Sequence, residues 1–265
     1  MNPNIGREVR LGRVVDRDSG KTLIVPLDHG VIMGPIRGIK DPVETVGKVA
    51  DGGANAAMFQ TGLGKVIVPE HGNRLGIIYT LTNSCTMRYN QLLLSTVRQA
   101  VRDGADAVAI RTWVGSDHER TALSNFQMAA DECLRWGMPI LAVNYFVEEK
   151  REARGGLKES IKHAARVAAE MGADMVKTVY TGSIDTFQEV VATCPVPVVM
   201  AGGPKTDDPR DLLQMVFDAM QAGAAGVAIG RNVWQARDPA ATVRALGAII
   251  HHGASVDQAM TYVRS

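Results

Sequence analysis

The sequence predicts a single (β/α)8 barrel, the TIM-barrel fold, over residues 1–265, and three observations carry that expectation. The first is a recurring joint in which a helix end, one or two glycines and an alanine lead into an apolar run. It occurs as Asp51-Gly52-Gly53-Ala54, Asp103-Gly104-Ala105, Met171-Gly172-Ala173 and Ala222-Gly223-Ala224. Glycine ends a helix because it alone adopts the left-handed conformation cheaply, and the alanine lets the next strand start close by. The second is the number of strand candidates, eight, which is the number that closes such a barrel. The third is length, since this fold typically takes about 250 residues and a 265-residue chain leaves no remainder for a second domain.

In chain order the strands are expected at Thr22–Asp28, Asn55–Gln60, Leu75–Leu81, Asp106–Trp113, Pro139–Tyr145, Asp174–Tyr180, Pro197–Ala201 and Gly226–Gly230. Each is short and largely apolar at successive positions, as a parallel strand covered on both faces should be. Between them, helices are expected at Pro42–Ala50, Gln91–Asp103, Glu119–Trp136, Leu157–Met171, Ile184–Thr193, Asp211–Ala222 and Ala240–His251, mostly with apolar residues at helical spacing. Gly62–Arg74, where the second helix belongs, carries charges, glycines and Pro69 and reads as irregular; Arg88–Asn90 and Phe146–Gly156 read as loops. His251 and His252 are expected to face solvent, and Trp113, Trp136 and Trp234 to pack. The βα alternation demands a parallel sheet, and an open doubly wound sheet is disfavoured because no GxGxxG follows the first strand.

Composition narrows the function. The chain has 29 basic and 28 acidic residues and no long basic run, so neither nucleic acid nor an anionic membrane is an indicated partner. Cys85, Cys133 and Cys194 lie far apart without CxxC spacing, which fits reduced thiols in a cytoplasmic protein. Met1 to Arg13 is polar, and no stretch approaches 18 apolar residues, so a soluble cytoplasmic protein is expected. His71, His118 and His163 show no HxxxH or HxH spacing, so no metal is expected, and nothing calls for a cofactor.

Lys177 is the residue that asks for a chemical explanation. It lies inside Asp174-Met175-Val176-Lys177-Thr178-Val179-Tyr180, a run that otherwise reads as a buried strand. Burial disfavours an ammonium, so a lysine there titrates low and presents a neutral amine, a nucleophile for carbonyls. The plainer alternative is a structural ion pair, with Asp28 as partner. Asp28 and His29 end the first strand and Tyr145 ends the fifth, at the end of the barrel where active sites lie. A lysine, a carboxylate and a phenol aimed into one mouth are the parts a Schiff-base site needs: an amine, an acid for the carbinolamine oxygen, and a base for the proton moved as the C–C bond changes. Trp113 ends the fourth strand and could line the same pocket. The seventh and eighth strands end in Ala201-Gly202-Gly203-Pro204-Lys205-Thr206 and Gly230-Arg231-Asn232, where many barrels bind phosphate. Backbone N–H groups of Gly202, Gly203 and Gly230, with charge from Lys205 and Arg231, would hold it, so a phosphorylated sugar or keto compound is the expected substrate.

These pieces resemble the archaeal-type class I fructose-bisphosphate aldolase family, which includes 2-amino-3,7-dideoxy-D-threo-hept-6-ulosonate synthase and the autoinducer-processing thiolase. The resemblance runs nearly end to end through Val25-Pro26-Leu27-Asp28-His29-Gly30, Gly34-Pro35-Ile36-Arg37-Gly38, Gly52-Gly53-Ala54-Asn55-Ala56, Gly172-Ala173-Asp174-Met175-Val176-Lys177-Thr178, Ala201-Gly202-Gly203-Pro204-Lys205-Thr206 and Gly226-Val227-Ala228-Ile229-Gly230-Arg231-Asn232. It implies a metal-independent aldolase or transaldolase with Lys177 as Schiff-base lysine, Tyr145 as proton-transferring tyrosine, Asp28 as the aspartate after the first strand, and a ring-built homo-oligomer, a decamer. The thiolase branch lacks the tyrosine, so Tyr145 speaks against thiolase-type acyl transfer on a phosphorylated dione. One departure stands out: where the aldolases follow the tyrosine with Pro-Arg-Gly, this chain has Tyr145-Phe146-Val147-Glu148-Glu149-Lys150. The change bears on the distal end of the substrate and keeps open a barrel that binds a phosphorylated ligand without turning it over. A flavin-binding barrel using the same phosphate turns is a third reading.

Overall fold

A computed structural model of the chain describes residues 4–85 and 89–264. Among them, eight parallel strands form a closed barrel: β1 (Thr22–Pro26), β2 (Ala56–Gln60), β3 (Gly76–Thr80), β4 (Ala107–Val114), β5 (Ile140–Phe146), β6 (Met175–Val179), β7 (Val198–Ala201) and β8 (Gly226–Ala228). They follow one another in chain order round the barrel, and β1 pairs with both β2 and β8, so the sheet has no edge. Every expected strand is present, with ends within two residues of the sequence reading.

Side chains alternate between the two faces of each strand. Leu23, Val25, Phe59, Tyr79 and Val176 face outward into the core shared with the helices. Ile24, Met58, Ile78, Leu141, Val143 and Val199 face inward and fill the barrel. The bottom is plugged by a helix at Ile5–Val14, capped by Asn4, which packs Leu11, Val14 and Val15 against that inner cluster. The sequence reading has no helix there, because few apolar residues mark its inner face.

Three further elements differ from expectation. Gly62–Arg74 contains a helix at Gly64–His71, whose leading glycine and internal Pro69 conceal its buried Ile67. The helix expected over Gln91–Asp103 is confined to Val97–Arg102, where Thr96 caps it; Leu92–Leu93 instead pairs antiparallel with Thr82–Asn83 above β3. A last helix, Val256–Arg264, follows the one at Pro239–His252. Of the loop expected at Arg88–Asn90, Arg88 lies outside the described residues. In Phe146–Gly156, Phe146 ends β5 and two single 3-10 turns follow.

His251 does not face solvent. Its Nε2 lies 3.0 Å from Asn55 Oδ1 and its Nδ1 lies 2.9 Å from Ser19 Oγ, tying the Pro239–His252 helix to the barrel floor, while His252 is exposed. Trp136 is 46% exposed rather than packed. No described helix is long and apolar enough to cross a membrane.

Gly226 has φ +140° and pairs with Thr22 where β8 meets β1, and an added Cβ would run into the Thr22 backbone. Gly226→Ala is expected to destabilise the fold by about 3 kcal/mol through strain and overpacking, measured as a lower urea midpoint at unchanged slope.

Candidate active site

The inward set of residues changes character toward the C-terminal ends of the strands. Above the aliphatic layers, the same alternation points Arg111 and Trp113 of β4, Tyr145 of β5, Lys177 of β6 and Ala201 of β7 into a cavity of about 600 Å³. The register places Trp113 beside Tyr145, and Lys177 between Val143 and Val199. His29, Gly202, Gly203, Gly230 and Arg231 also line this cavity, so of the residues singled out from sequence most are brought together. Lys205 is not. It is exposed, its Nζ donates to Thr206 O at 3.1 Å, and it lines a separate outer groove of about 760 Å³ that contains neither Lys177 nor Tyr145. That groove is larger but holds none of the buried titratable groups.

Lys177 is 6% exposed, and burial pushes its amine down to about 8; nearby Asp28 acts in the opposite sense and Arg111 in the same sense. Its Nζ donates to none of the described side chains. The ion pair that sequence reasoning offered as the alternative, Lys177 with Asp28, is replaced by another. Arg111 Nη2 lies 2.7 Å from Asp28 Oδ2, and the Asp28 side chain is 1% exposed. Burial alone would raise the Asp28 carboxyl, but Arg111, His29 and Lys177 outweigh it and hold the group below the usual carboxylate range. Arg111 went unremarked in the sequence, although Ala107–Val114 carries the signal that exposed Lys177: a charge in an otherwise apolar strand.

Tyr145 packs on Trp113 with ring centroids 4.8 Å apart, and Trp113 packs on Tyr89 at 5.0 Å. Burial raises the Tyr145 phenol, with Arg111 opposing, so at neutral pH it is a hydroxyl able to donate a proton. Burial pushes the His29 imidazole down to about 4 against the pull of Asp28, and it is neutral at pH 7.

The two glycine turns are cross-linked. Arg231 Nη2 donates to Gly203 O at 3.0 Å, and Asn232 Nδ2 donates to Gly202 O at 3.0 Å and Pro204 O at 2.8 Å. Gly230 admits no side chain, since a Cβ there would press on Pro26 O and the Trp234 ring. Glu148 of the departing segment and Arg151 just after it also line the cavity, 3.7 Å apart. The cavity thus presents a buried amine, a phenol and several cations, a set suited to an anionic carbonyl compound.

Residues 22–236 match the DeoC/LacD family of aldolases. The chain belongs to the DeoC/LacD aldolase family. The chain is 39% identical over 263 residues to 2-amino-3,7-dideoxy-D-threo-hept-6-ulosonate synthase of Halobacterium salinarum, covering 96% of the chain and 95% of the relative. It is 36% identical over 261 residues to 2-amino-4,5-dihydroxy-6-oxo-7-(phosphonooxy)heptanoate synthase of Streptomyces griseus, covering 95% and 93%. Among solved structures it is similar to a Schiff-base-forming fructose-1,6-bisphosphate aldolase, with TM-score 0.83 and 30% identity over 92% of this chain and 99% of the other.

Asp28, with its carboxyl held low, adds stability above the unfolded carboxylate value, and that stability is lost as pH falls through the folded one. Arg111→Met removes the counter-ion of a buried charge and is expected to cost about 3–5 kcal/mol at pH 7. The gap to the unsubstituted protein should narrow near pH 4, where burial without the guanidinium leaves Asp28 of the variant protonated while that of the unsubstituted protein stays ionised, as read from urea unfolding at pH 7 and pH 4.

Proposed function

We propose that this aldolase forms a Schiff base between Lys177 and the ketone of a phosphorylated ketose, of the dihydroxyacetone phosphate type, and makes or breaks a C–C bond reversibly as a metal-independent class I aldolase or transaldolase. The observation that carries the reading is Lys177 itself: a buried amine lowered to about 8 and without an acceptor among the described residues, opening onto a cavity that also holds Tyr145. About a tenth of such an amine is unprotonated at pH 7.

The roles follow from the groups' states. The neutral Lys177 amine attacks the ketone carbon, and the Tyr145 hydroxyl protonates the carbinolamine oxygen so that it leaves as water. The cationic iminium accepts the electron pair of the breaking C–C bond, becoming an enamine, while the phenolate of Tyr145 takes the proton from the departing carbon's hydroxyl. Asp28, ionised and anchored by Arg111, offsets the positive charge of the iminium. The N–H groups of Gly202, Gly203 and Gly230 and the Arg231 guanidinium hold the donor's phosphate. Lys205 has no part in that hold, because it lies outside the cavity.

The name of the Streptomyces griseus relative's product supports a particular acceptor class. Its ketone at carbon 6 stands between a phosphorylated carbon 7 and hydroxyls at carbons 5 and 4. Aldol disconnection between carbons 4 and 5 yields dihydroxyacetone phosphate and a 2-amino-4-oxobutanoate. An acceptor of that kind carries an ammonium and a carboxylate, and Glu148 and Arg151 offer one partner for each on the β5 side of the cavity. Arg151 therefore returns an arginine to the region where the Pro-Arg-Gly segment is missing.

Borohydride with dihydroxyacetone phosphate is expected to fix mass on Lys177 and on no other residue, with none fixed in Lys177→Met; an unlabelled, fully folded enzyme sinks the reading. The trapping rate should rise about tenfold per pH unit below 8 and level off above it, as the amine deprotonates. Tyr145→Phe is expected to lower C–C cleavage by about 10²–10⁴-fold. Arg151→Met should raise KM for an amino-acid aldehyde while leaving donor trapping intact, as measured by steady-state kinetics.

A further inference from the structure

The buried atoms around Lys177 that have no hydrogen-bond partner include Asp28 Oδ1 and His29 Nδ1. They face each other across 3.5 Å, and the other carboxylate oxygen, Oδ2, is already taken by Arg111. An ionised carboxylate oxygen can only accept, so the facing Nδ1 must carry the imidazole proton; two lone pairs in that position would repel. The lone pair of His29 is therefore on Nε2. The ring's position shows where that lone pair lies. His29 stands edge-on to Trp234 with centroids 5.5 Å apart, and its Cε1 is so close to Gly230 that a Cβ there would meet it at 3.1 Å. Nε2, bonded to Cε1, sits beside the Gly230-Arg231 turn.

The charges in the cavity then leave a shortfall. A phosphate monoester carries a charge of about −1.5 to −2 at pH 7. Arg231 is the cationic side chain at the turn, Arg111 is committed to Asp28, Arg151 is beside Glu148, Lys177 is needed at the carbonyl, and Lys205 is outside. A bare imidazole lone pair facing a dianion is repulsive unless a proton stands between them. We propose that His29 is a proton-linked arm of the phosphate site: the dianion docks together with one proton drawn from solvent, shared between His29 Nε2 and a phosphate oxygen, while Nδ1–H remains on Asp28. This rests on the placement of the donor's phosphate given above. The charged groups facing His29 are Asp28, Lys177, Arg111 and Arg231. Burial, with the three cations adding to it, keeps the imidazole neutral, and an arriving dianion opposes both. Phosphate occupancy is thereby communicated to the carboxylate next to the reacting amine.

The test uses sn-glycerol 3-phosphate, which has the phosphate and lacks the carbonyl. Titration calorimetry at pH 7.5 in two phosphate-free buffers of different ionisation enthalpy is expected to show uptake approaching one proton per site. In His29→Gln, which keeps a donor at the ε position but cannot titrate, the uptake should vanish and affinity fall roughly tenfold, the difference between a charge-assisted and a neutral hydrogen bond. Buffer-independent heats in the unsubstituted enzyme overturn the proposal even if the variant fails to fold, and so does equal uptake in His29→Gln. Capture of unphosphorylated dihydroxyacetone by borohydride in the unsubstituted enzyme tests the Schiff-base reading separately, since its failure would leave the proton count standing.

Discussion

The Arg111–Asp28 pair is the contact on which the chemistry of the barrel mouth depends. A carboxylate with 1% of its side chain exposed must be compensated, and the guanidinium does so in place of the lysine. Because Arg111 takes one carboxylate oxygen at 2.7 Å, Lys177 is left with a cation nearby, a carboxylate already satisfied, and little water. The lack of water and the cation favour the free amine, against the remaining pull of Asp28. A lysine serving Asp28 directly would be charged and unreactive. The second carboxylate oxygen stays open toward His29, so the ion pair bears on both neighbours, whose amine and imidazole burial lowers.

The barrel makes this arrangement possible by dividing its interior along its axis. Below, Ile24, Met58, Leu141 and Val143 with the Ile5–Val14 helix form a dry floor. Above, two residues beyond the inward Ala109, Val143 and Met175, the inward positions become Arg111, Tyr145 and Lys177. The strand ladder holds the backbone of each of these residues, and the loops beyond supply the glycine turns. The Thr82–Asn83 ribbon finishes the upper layer: Asn83 Nδ2 donates to Asp28 O at 3.1 Å and Thr82 Oγ1 accepts from Arg111 N at 2.8 Å. Both partners of the ion pair are thus fixed through their backbones.

Much of this was legible in the sequence because it rests on local signals. Strand positions follow from glycine-alanine joints and apolar runs, and Lys177 stands out because a charge interrupts such a run. Arg111 gives the same signal and was passed over, since no turn or neighbouring motif drew attention to Ala107–Val114. The Ile5–Val14 and Gly64–His71 helices were hidden for opposite reasons, a polar surface in one and a proline in the other. Asn232 ties together segments far apart in sequence, and spacing along the chain carries no trace of that contact. Lys205 shows the converse error: it neighbours the glycine turn in sequence, yet its side chain leaves in the wrong direction.

The pairing of β1 with β8 joins residues that lie some two hundred positions apart, Thr22 with Gly226. Loop closure over that distance is slow compared with forming neighbouring βα units, so the seam is expected to zip after the rest of the sheet has assembled. Asp28 and His29 stand on one lip of that seam, and Gly230 and Arg231 on the other. The pocket between those lips is therefore expected to be completed last, and a ligand that touched both lips would act as a clasp holding the finished cylinder shut.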